Sequence, residues 1–332
     1  MRLRPELRPL GRSGVTVSAF GFGGGQEELA SSALQLSGKV DVNRLTLQVG
    51  KFAVHDFFDA NAYAQDPRTD FLNWSIWAAG AFDYPADKLG LTYGAAAEFN
   101  QKNWAARAGY FLIGSEPNSN NFDMALFKRG GYVAELETRY SLFSRPGKFR
   151  MTGWFHNSFS GRYRNALNLS VSNPAFDPTD AIVASRQGNT KYGYVLNLEQ
   201  SITDDIGVFA RWGWNNGKNE ISAFTDIDSS LSFGTSIKGT GWGRPNDRIG
   251  IAMATNGLSE DHRSYFAAGG MGILVGDGRL NYRQEKIFET FYALDLAKAA
   301  TLTFDYQFMM NPAYNADRGP ISIFAARLHA EF

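Results

Sequence analysis

The sequence predicts an all-β protein, a transmembrane antiparallel β-barrel, on three observations. Segments of about ten residues alternate with period two, connections alternate long and short, and a charged face of mixed sign stands opposite an apolar one. Composition sets the bounds. The 332 residues carry 33 Lys+Arg against 33 Asp+Glu, so there is no basic excess to hold nucleic acid. The absence of Cys excludes disulfides and thiolate chemistry. His55, His156, His262 and His329 are dispersed without metal-ligand spacing and read as polar lumen or loop residues, with no metal and no cofactor expected. The longest nearly uncharged apolar run, 265–276 (YFAAGGMGILVG), is well short of the ~20 residues of a helical span. That excludes a transmembrane helix and leaves a membrane open.

Residues 14–22 are counted as a first strand, and regular alternation runs from Asn43 onward. In 90–99, Leu91, Tyr93, Ala95, Ala97 and Phe99 oppose Thr92, Gly94, Ala96 and Glu98. In 104–112, Trp104, Ala106, Ala108, Tyr110 and Leu112 oppose Ala105, Arg107, Gly109 and Phe111. In 132–140, Tyr132, Ala134, Leu136, Thr138 and Tyr140 oppose Glu135, Glu137 and Arg139. The same split recurs in 148–156, 191–200, 206–214, 301–308 and 327–332. Between the strands, 55–89, 113–130, 158–189, 217–230, 258–280 and 311–318 are long, while 100–103, 143–146, 203–205, 244–246 and 297–300 are short. All long connections then fall on one side of the sheet, as in outer-membrane barrels. This gives about thirteen strands, an odd number for a bacterial single-chain barrel.

A soluble sandwich also alternates, but its strands average five or six residues and its apolar face looks into a core. Runs of ~9–12 residues are the length that crosses a bilayer at the usual tilt, and aromatics cluster at their ends as interfacial girdles do. The opposite face carries Glu98, Arg107, Glu135, Glu137, Arg139, Lys148, Arg150, Arg211 and Asp305. So many ionised groups are costly in a dry interior, so this face is expected to line a water-filled lumen, most of its members in solvated ion-pair ladders. Lys51 has outward parity, which calls for a bulge or an interfacial position near the strand end.

Five separated blocks resemble the OprB family of carbohydrate-selective porins: 47–104 (LQVGKFAVHDFFDANAYAQDPRTDFLNWSIWAAGAFDYPADKLGLTYGAAAEFNQKNW), 126–150 (LFKRGGYVAELETRYSLFSRPGKFR), 236–252 (SIKGTGWGRPNDRIGIA), 259–283 (SEDHRSYFAAGGMGILVGDGRLNYR) and 301–332 (TLTFDYQFMMNPAYNADRGPISIFAARLHAEF). The resemblance covers about nine tenths of the chain, from near Gly21 to Phe332. It implies a 16-stranded outer-membrane barrel passing monosaccharides such as glucose down their gradient, as a monomer or homotrimer in outer-membrane lipid, without enzymatic activity. The family carries a signal peptide and roughly a hundred residues ahead of the Gly21 block, so this chain reads as N-terminally truncated, with 1–20 a leader of uncertain origin and 21–332 the barrel. A general or differently selective porin is the alternative within membranes.

The stretch 8–25 (RPLGRSGVTVSAFGFGGG) resembles the opening of an aldo/keto reductase, a soluble (β/α)8 enzyme. Its next expected feature is an Asp followed five residues later by a catalytic Tyr. Asp59 and Tyr63 are one residue too close, and no alternating helices follow to make parallel crossovers, so the reductase is a remote alternative. As a nucleotide-binding signal GFGGGQ is weak, since no helix of suitable length follows.

A diffusion pore has no nucleophile; its sites are the groups that narrow and polarise the lumen. The segment 54–89 is too long for an idle surface loop and is expected to fold inward as a constriction. Within it Arg68, Asp70, Asn73, Trp74 and Trp77 are the candidate sugar contacts, because aromatic faces stack on pyranose C–H faces while Arg, Asp and Asn match vicinal hydroxyls. For each residue the competing reading is packing against the barrel wall. Residues 264–275 are expected to form a short apolar helix in an outside loop.

Overall fold

The computed structural model describes residues 8–10, 15–29, 37–223 and 226–330. Its strands are β1 (Arg8–Leu10), β2 (Val15–Gly21), β3 (Gln26–Leu29), β4 (Gly38–Asp41), β5 (Arg44–Phe52), β6 (Thr92–Asn100), β7 (Trp104–Phe111) and β8 (Gly130–Leu142). They continue as β9 (Arg145–Ser160), β10 (Gln187–Ser201), β11 (Ile206–Asn215), β12 (Ser229–Gly239), β13 (Arg244–Gly257), β14 (Glu285–Ala297), β15 (Ala300–Met310) and β16 (Ile321–Ala330). The helices are α1 (Trp74–Trp77), α2 (Tyr163–Ser172), α3 (Pro178–Ala184) and α4 (Glu260–Ala267). Fourteen strands form one antiparallel meander in the order β1-β2-β5-β6 and on consecutively to β16, with β3-β4 a separate hairpin. The three-residue β1 adds to the strands legible in the sequence. Among the described residues β16 pairs with β15 alone.

Burial along the wall is inverted relative to a water-soluble fold. On β8, Glu135 and Glu137 are buried while Leu136 between them is 50% exposed; on β11, Arg211 is buried and Trp212 exposed. Met151, Phe233, Met253, Phe304 and Leu328 continue the exposed apolar face. In water this arrangement loses the burial energy of every outward side chain; against hydrocarbon it loses none. Aromatic rows edge the apolar band. At the long-loop rim Tyr110 lies 5.0 Å from Tyr132, which stacks on Phe155 at 4.8 Å, and Tyr194 follows 5.7 Å from Trp214. At the short-turn rim Phe99 lies 5.7 Å from Trp104, and the Trp242 indole donates to the Tyr292 hydroxyl at 3.1 Å. From Tyr132 to Tyr140 on β8 is roughly 27 Å of strand, or ~21 Å along the barrel axis at a tilt of ~40°, close to the ~25 Å apolar band of such walls.

Two elements depart from the sequence reading, and Lys51 takes the strand-end position expected as the alternative to a bulge. The connection from β2 to β5, on the short-turn side, holds the β3-β4 hairpin. Its entry is the GFGGGQ stretch: Gly23, Gly24 and Gly25 all have φ near +80 to +90°, a conformation glycine adopts without strain, and Gly23 N–H donates to the Asp41 carboxylate at 2.9 Å, so these glycines shape the turn into the hairpin. The outside helix α4 begins at Glu260, four residues before the expected start, because the Ser259 side chain caps it through His262 N–H and Glu260 and Asp261 occupy its first turn. It ends at Ala267, with Gly269 at φ +98° just beyond, well short of 275. Lys51 needs no bulge: at the long-loop end of β5 it pairs with Asp87 at 2.8 Å and lies over the Tyr93 ring.

Candidate pore constriction

The connection between β5 and β6 does not stay at the rim. It runs along the inner face of the wall and touches strands from β8 to β16. A buried irregular segment must find partners for its backbone groups, each costing about 1–3 kcal/mol if left unpaired. Inward-facing side chains of the wall supply them, with a division of labour by charge. Wall carboxylates accept backbone N–H groups: Glu135 from Asp59 at 2.8 Å, Glu199 from Ala62 at 2.8 Å, and Glu289 from Leu72 at 2.5 Å and Asn73 at 3.0 Å. Wall arginines donate to backbone carbonyls. Arg211 donates to those of Asp59 (3.1 Å), Ala64 (2.7 Å) and Ile76 (3.0 Å), Arg248 to Thr69 (2.6 Å), and Arg327 to Pro67 and Asp70.

Arg211 is the centre of the first anchor. It is 1% exposed and also pairs with the Asp59 carboxylate at 3.1 Å. That carboxylate accepts from Asn197 at 2.6 Å and from Ala79 N–H at 2.9 Å, and Asn197 in turn accepts from Asn61. Further along, Asp83 accepts from Ser222 N–H at 2.9 Å and pairs with the buried Lys191 at 3.1 Å. Asn215 and Ser230 hold the backbone of Ala81. Close approach depends on missing side chains: a Cβ on Gly207 of β11 would strike the Tyr63 ring, and one on Gly131 of β8 would strike Pro85.

The wall charges of β6 to β10 form one network across neighbouring strands. Arg107 pairs with Glu98 (2.6 Å), Glu135 (2.7 Å) and Glu137 (3.2 Å), and Arg150 with Glu137 (2.8 Å) and Glu199 (3.0 Å). Arg139 joins Glu137 at 2.7 Å, and Lys148 joins Glu199 at 3.6 Å. All lie on the inner face, as do Arg211 and Asp305, the latter accepting from Gln307 at 3.3 Å. The expectation of an open, water-lined ladder is corrected for part of this set. Glu135, Glu137, Arg150 and Arg211 are at most 3% exposed: the inward segment bonds directly to Glu135 and Arg211, and Glu137 and Arg150 are enclosed among their own ion pairs. Alternation of sign and the segment's backbone, in place of water, compensate their desolvation.

The five candidate sugar contacts divide by environment. Asp70 is fixed: one oxygen pairs with Arg248 at 2.6 Å and the other accepts from Gln65 and Asp66 N–H. Asn73 caps α1 through Ser75 N–H at 3.1 Å and donates to Gln307 at 3.1 Å. Arg68 stands on the free face, its side chain 60% exposed, in a two-pronged pair with Asp66. Trp74 is half-buried, stacked on Tyr84 at 5.6 Å, and Trp77 meets it edge-on at 4.6 Å. With Trp74, Trp77, Phe82 and Tyr84, His55 completes an aromatic cluster under the free face. Sequence reasoning missed Asp66, whose signal was its place two residues before Arg68, and the anchors Asp59 and Asn197, which have no local signal. Among the described residues no cluster of His, Cys, Asp and Glu is suited to a metal ion.

Residues 14–332 match the family described as carbohydrate-selective porin, OprB family. The chain is 20% identical over 319 residues to porin AaxA of Chlamydia abortus, covering 93% of this chain and 60% of that protein. Its fold is similar to the high-pH structure of Pseudomonas putida OprB, with a TM-score of 0.64 at 13% identity, over 87% of this chain and 70% of that one. The chain thus spans about 60% of the length of its named relative.

Proposed function

Because the chain belongs to the OprB family of carbohydrate-selective porins, and is thus an outer-membrane β-barrel protein, we propose that it is a passive diffusion channel for carbohydrates such as glucose across the Gram-negative outer membrane. The observation that carries this reading is the inward segment itself. It is tied to the wall on one face, leaves the Arg68 side chain exposed beside Asp66, and keeps Trp74 and Trp77 half-buried just behind them. A neutral pyranose has apolar C–H faces and a rim of paired hydroxyls. The indole surfaces offer the first a platform, and the Arg68–Asp66 pair offers the second both donors and acceptors. Because that pair and the wall network are balanced in sign, the passage holds little net field to concentrate an ion of either charge.

The test is flux into liposomes. Arg68→Ala and Trp74→Ala are expected to lower glucose uptake several-fold while changing KCl conductance less than twofold. Equal loss of both fluxes would leave a general porin as the better description. Because Arg68 is an exposed ion-pair partner worth at most about 1 kcal/mol, its variant is expected to fold as the parent does.

A further inference from the structure

We propose that the outer rim between β6 and β8 is a lipid foot: the turn 87–90 and the loop 120–129 form an apolar ridge, flanked by lysines, that seats in the phosphate-bearing boundary of the outer leaflet. Leu89 is 81% exposed, Met124 70%, Leu126 52% and Phe127 71%, a density of bare apolar tips unusual in a loop. The ridge is built onto the lipid-facing girdle. Phe127 N–H donates to the Tyr110 hydroxyl at 2.8 Å, that hydroxyl donates to the Arg129 carbonyl at 2.8 Å, and the Tyr132 hydroxyl donates to the Phe127 carbonyl at 3.0 Å. The Phe127 ring lies 4.8 Å from Tyr110, and Phe122 meets Tyr93 edge-on at 5.7 Å. Lys88 N–H donates to Asn120 at 3.2 Å and joins the turn to the loop.

Two further features choose the occupant. Phe127 has φ +60°, a left-handed conformation that a bulky residue holds only against strain, and the girdle tyrosines hold it there with the ring outward. The charges at the ridge are also sorted. Arg129 is paired with Asp123 at 3.0 Å and Lys51 with Asp87 at 2.8 Å, while Lys88 and Lys128 are exposed with no ion pair among the described residues. Apolar tips continuous with a lipid-facing wall and bordered by free ammonium groups match the junction of acyl chains and lipid phosphate. The same ridge of a second copy would bring lysines toward lysines.

The chain has no cysteine, so one can be placed without background. Leu126→Cys carrying an environment-sensitive fluorophore, in vesicles of phosphatidylcholine and phosphatidylglycerol, is expected to emit blue-shifted and to be quenched at least twofold more by lipid-borne nitroxide than by aqueous iodide. The same label at Val183 in α3, on an outside loop, is expected to show the reverse preference. In detergent, Lys88→Gln with Lys128→Gln is expected to lower the lipid phosphate retained per chain by twofold or more at unchanged conductance. Iodide quenching at Leu126 equal to that at Val183, or quenching that depends on protein concentration and not on lipid, would overturn the foot. Unchanged phosphate retention would overturn its headgroup half.

Discussion

Replacing Arg211 by Met keeps the length of the side chain and removes its charge and donors. The wild-type guanidinium makes four bonds to the inward segment, one to the Asp59 carboxylate and three to the carbonyls of Asp59, Ala64 and Ile76. Breaking a buried ion pair by deleting one partner costs about 3–5 kcal/mol, because the other charge stays buried and unpaired. Here the lower end applies, since Asp59 keeps Asn197 and the Ala79 N–H. About 3 kcal/mol shifts the ratio of attached to detached segment by roughly 10²-fold. The wall itself does not use this side chain in its ladder, so the barrel is expected to stay folded while the constriction loosens. In planar bilayers Arg211→Met is then expected to show larger and noisier conductance, with the ratio of glucose to KCl permeation falling toward that of free diffusion. Adding Asp59→Asn, which removes the stranded charge, is expected to restore part of the loss, with a coupling of more than about 1 kcal/mol in the double-mutant cycle. Wild-type conductance, wild-type sugar preference and no coupling would refute the assignment of Arg211 as the anchor.

Three other outcomes follow from the same structure. Gly207→Val drives a side chain into the Tyr63 ring and is expected to cost about 1–3 kcal/mol by overpacking, read as lower thermal stability together with raised conductance; a neutral substitution would show that the contact is loose. Leu136→Arg, on the exposed face opposite Met151, is expected to lower stability in bilayers by about 2–4 kcal/mol, whereas folding as stable as wild type would place that face outside lipid. In the outside loops, burial pulls the His262 pKa down, but Asp228 at 2.8 Å and Asp226 at 3.6 Å hold it above the ordinary histidine value; Asp228, though buried, is held below the ordinary carboxylate value by the same contact. The histidine's share of loop stability is therefore complete below about pH 6.5 and lost as pH rises through its folded value, and the Asp228 share is lost only in acid, below about pH 4. Amide exchange in 259–267, corrected for its intrinsic pH dependence, is expected to quicken in alkali in the wild type and not in His262→Gln; a flat wild-type profile would sink this.

The wall was legible because lipid and lumen are two solvents and a strand shows alternate residues to each. Glu135, Leu136 and Glu137 on β8 carry that signal in three consecutive letters. The inward path of 54–89 was legible from its length. What escaped was every feature decided by contact across long sequence separations. Asp59 reads as an ordinary loop residue until Arg211 of β11 reaches it. Asp70 and Asn73 look like sugar ligands because the groups that occupy them, Arg248 and Gln307, stand on β13 and β15. The start of α4 was misplaced for a local reason: the apolar run 265–276 outweighed the cap formed by Ser259, Glu260 and Asp261 just ahead of it.

The wall charges themselves were found by parity, but their work was read too narrowly. Charges facing a wet lumen need only alternate in sign. Those under the segment must in addition match the polarity of a backbone, acids where N–H groups arrive and arginines where carbonyls arrive, and Glu135, Glu199, Glu289, Arg211, Arg248 and Arg327 do so. This separates two kinds of inner-wall charge by what their loss does. Neutralising Lys148, 41% exposed and 3.6 Å from its partner, alters the field of the passage and little else. Neutralising Arg211 or Glu289 is expected to release part of the segment and so to alter the width of the proposed passage. Under the function proposed above, selectivity is therefore expected to depend first on this buried layer of charges and only then on the exposed groups of the segment.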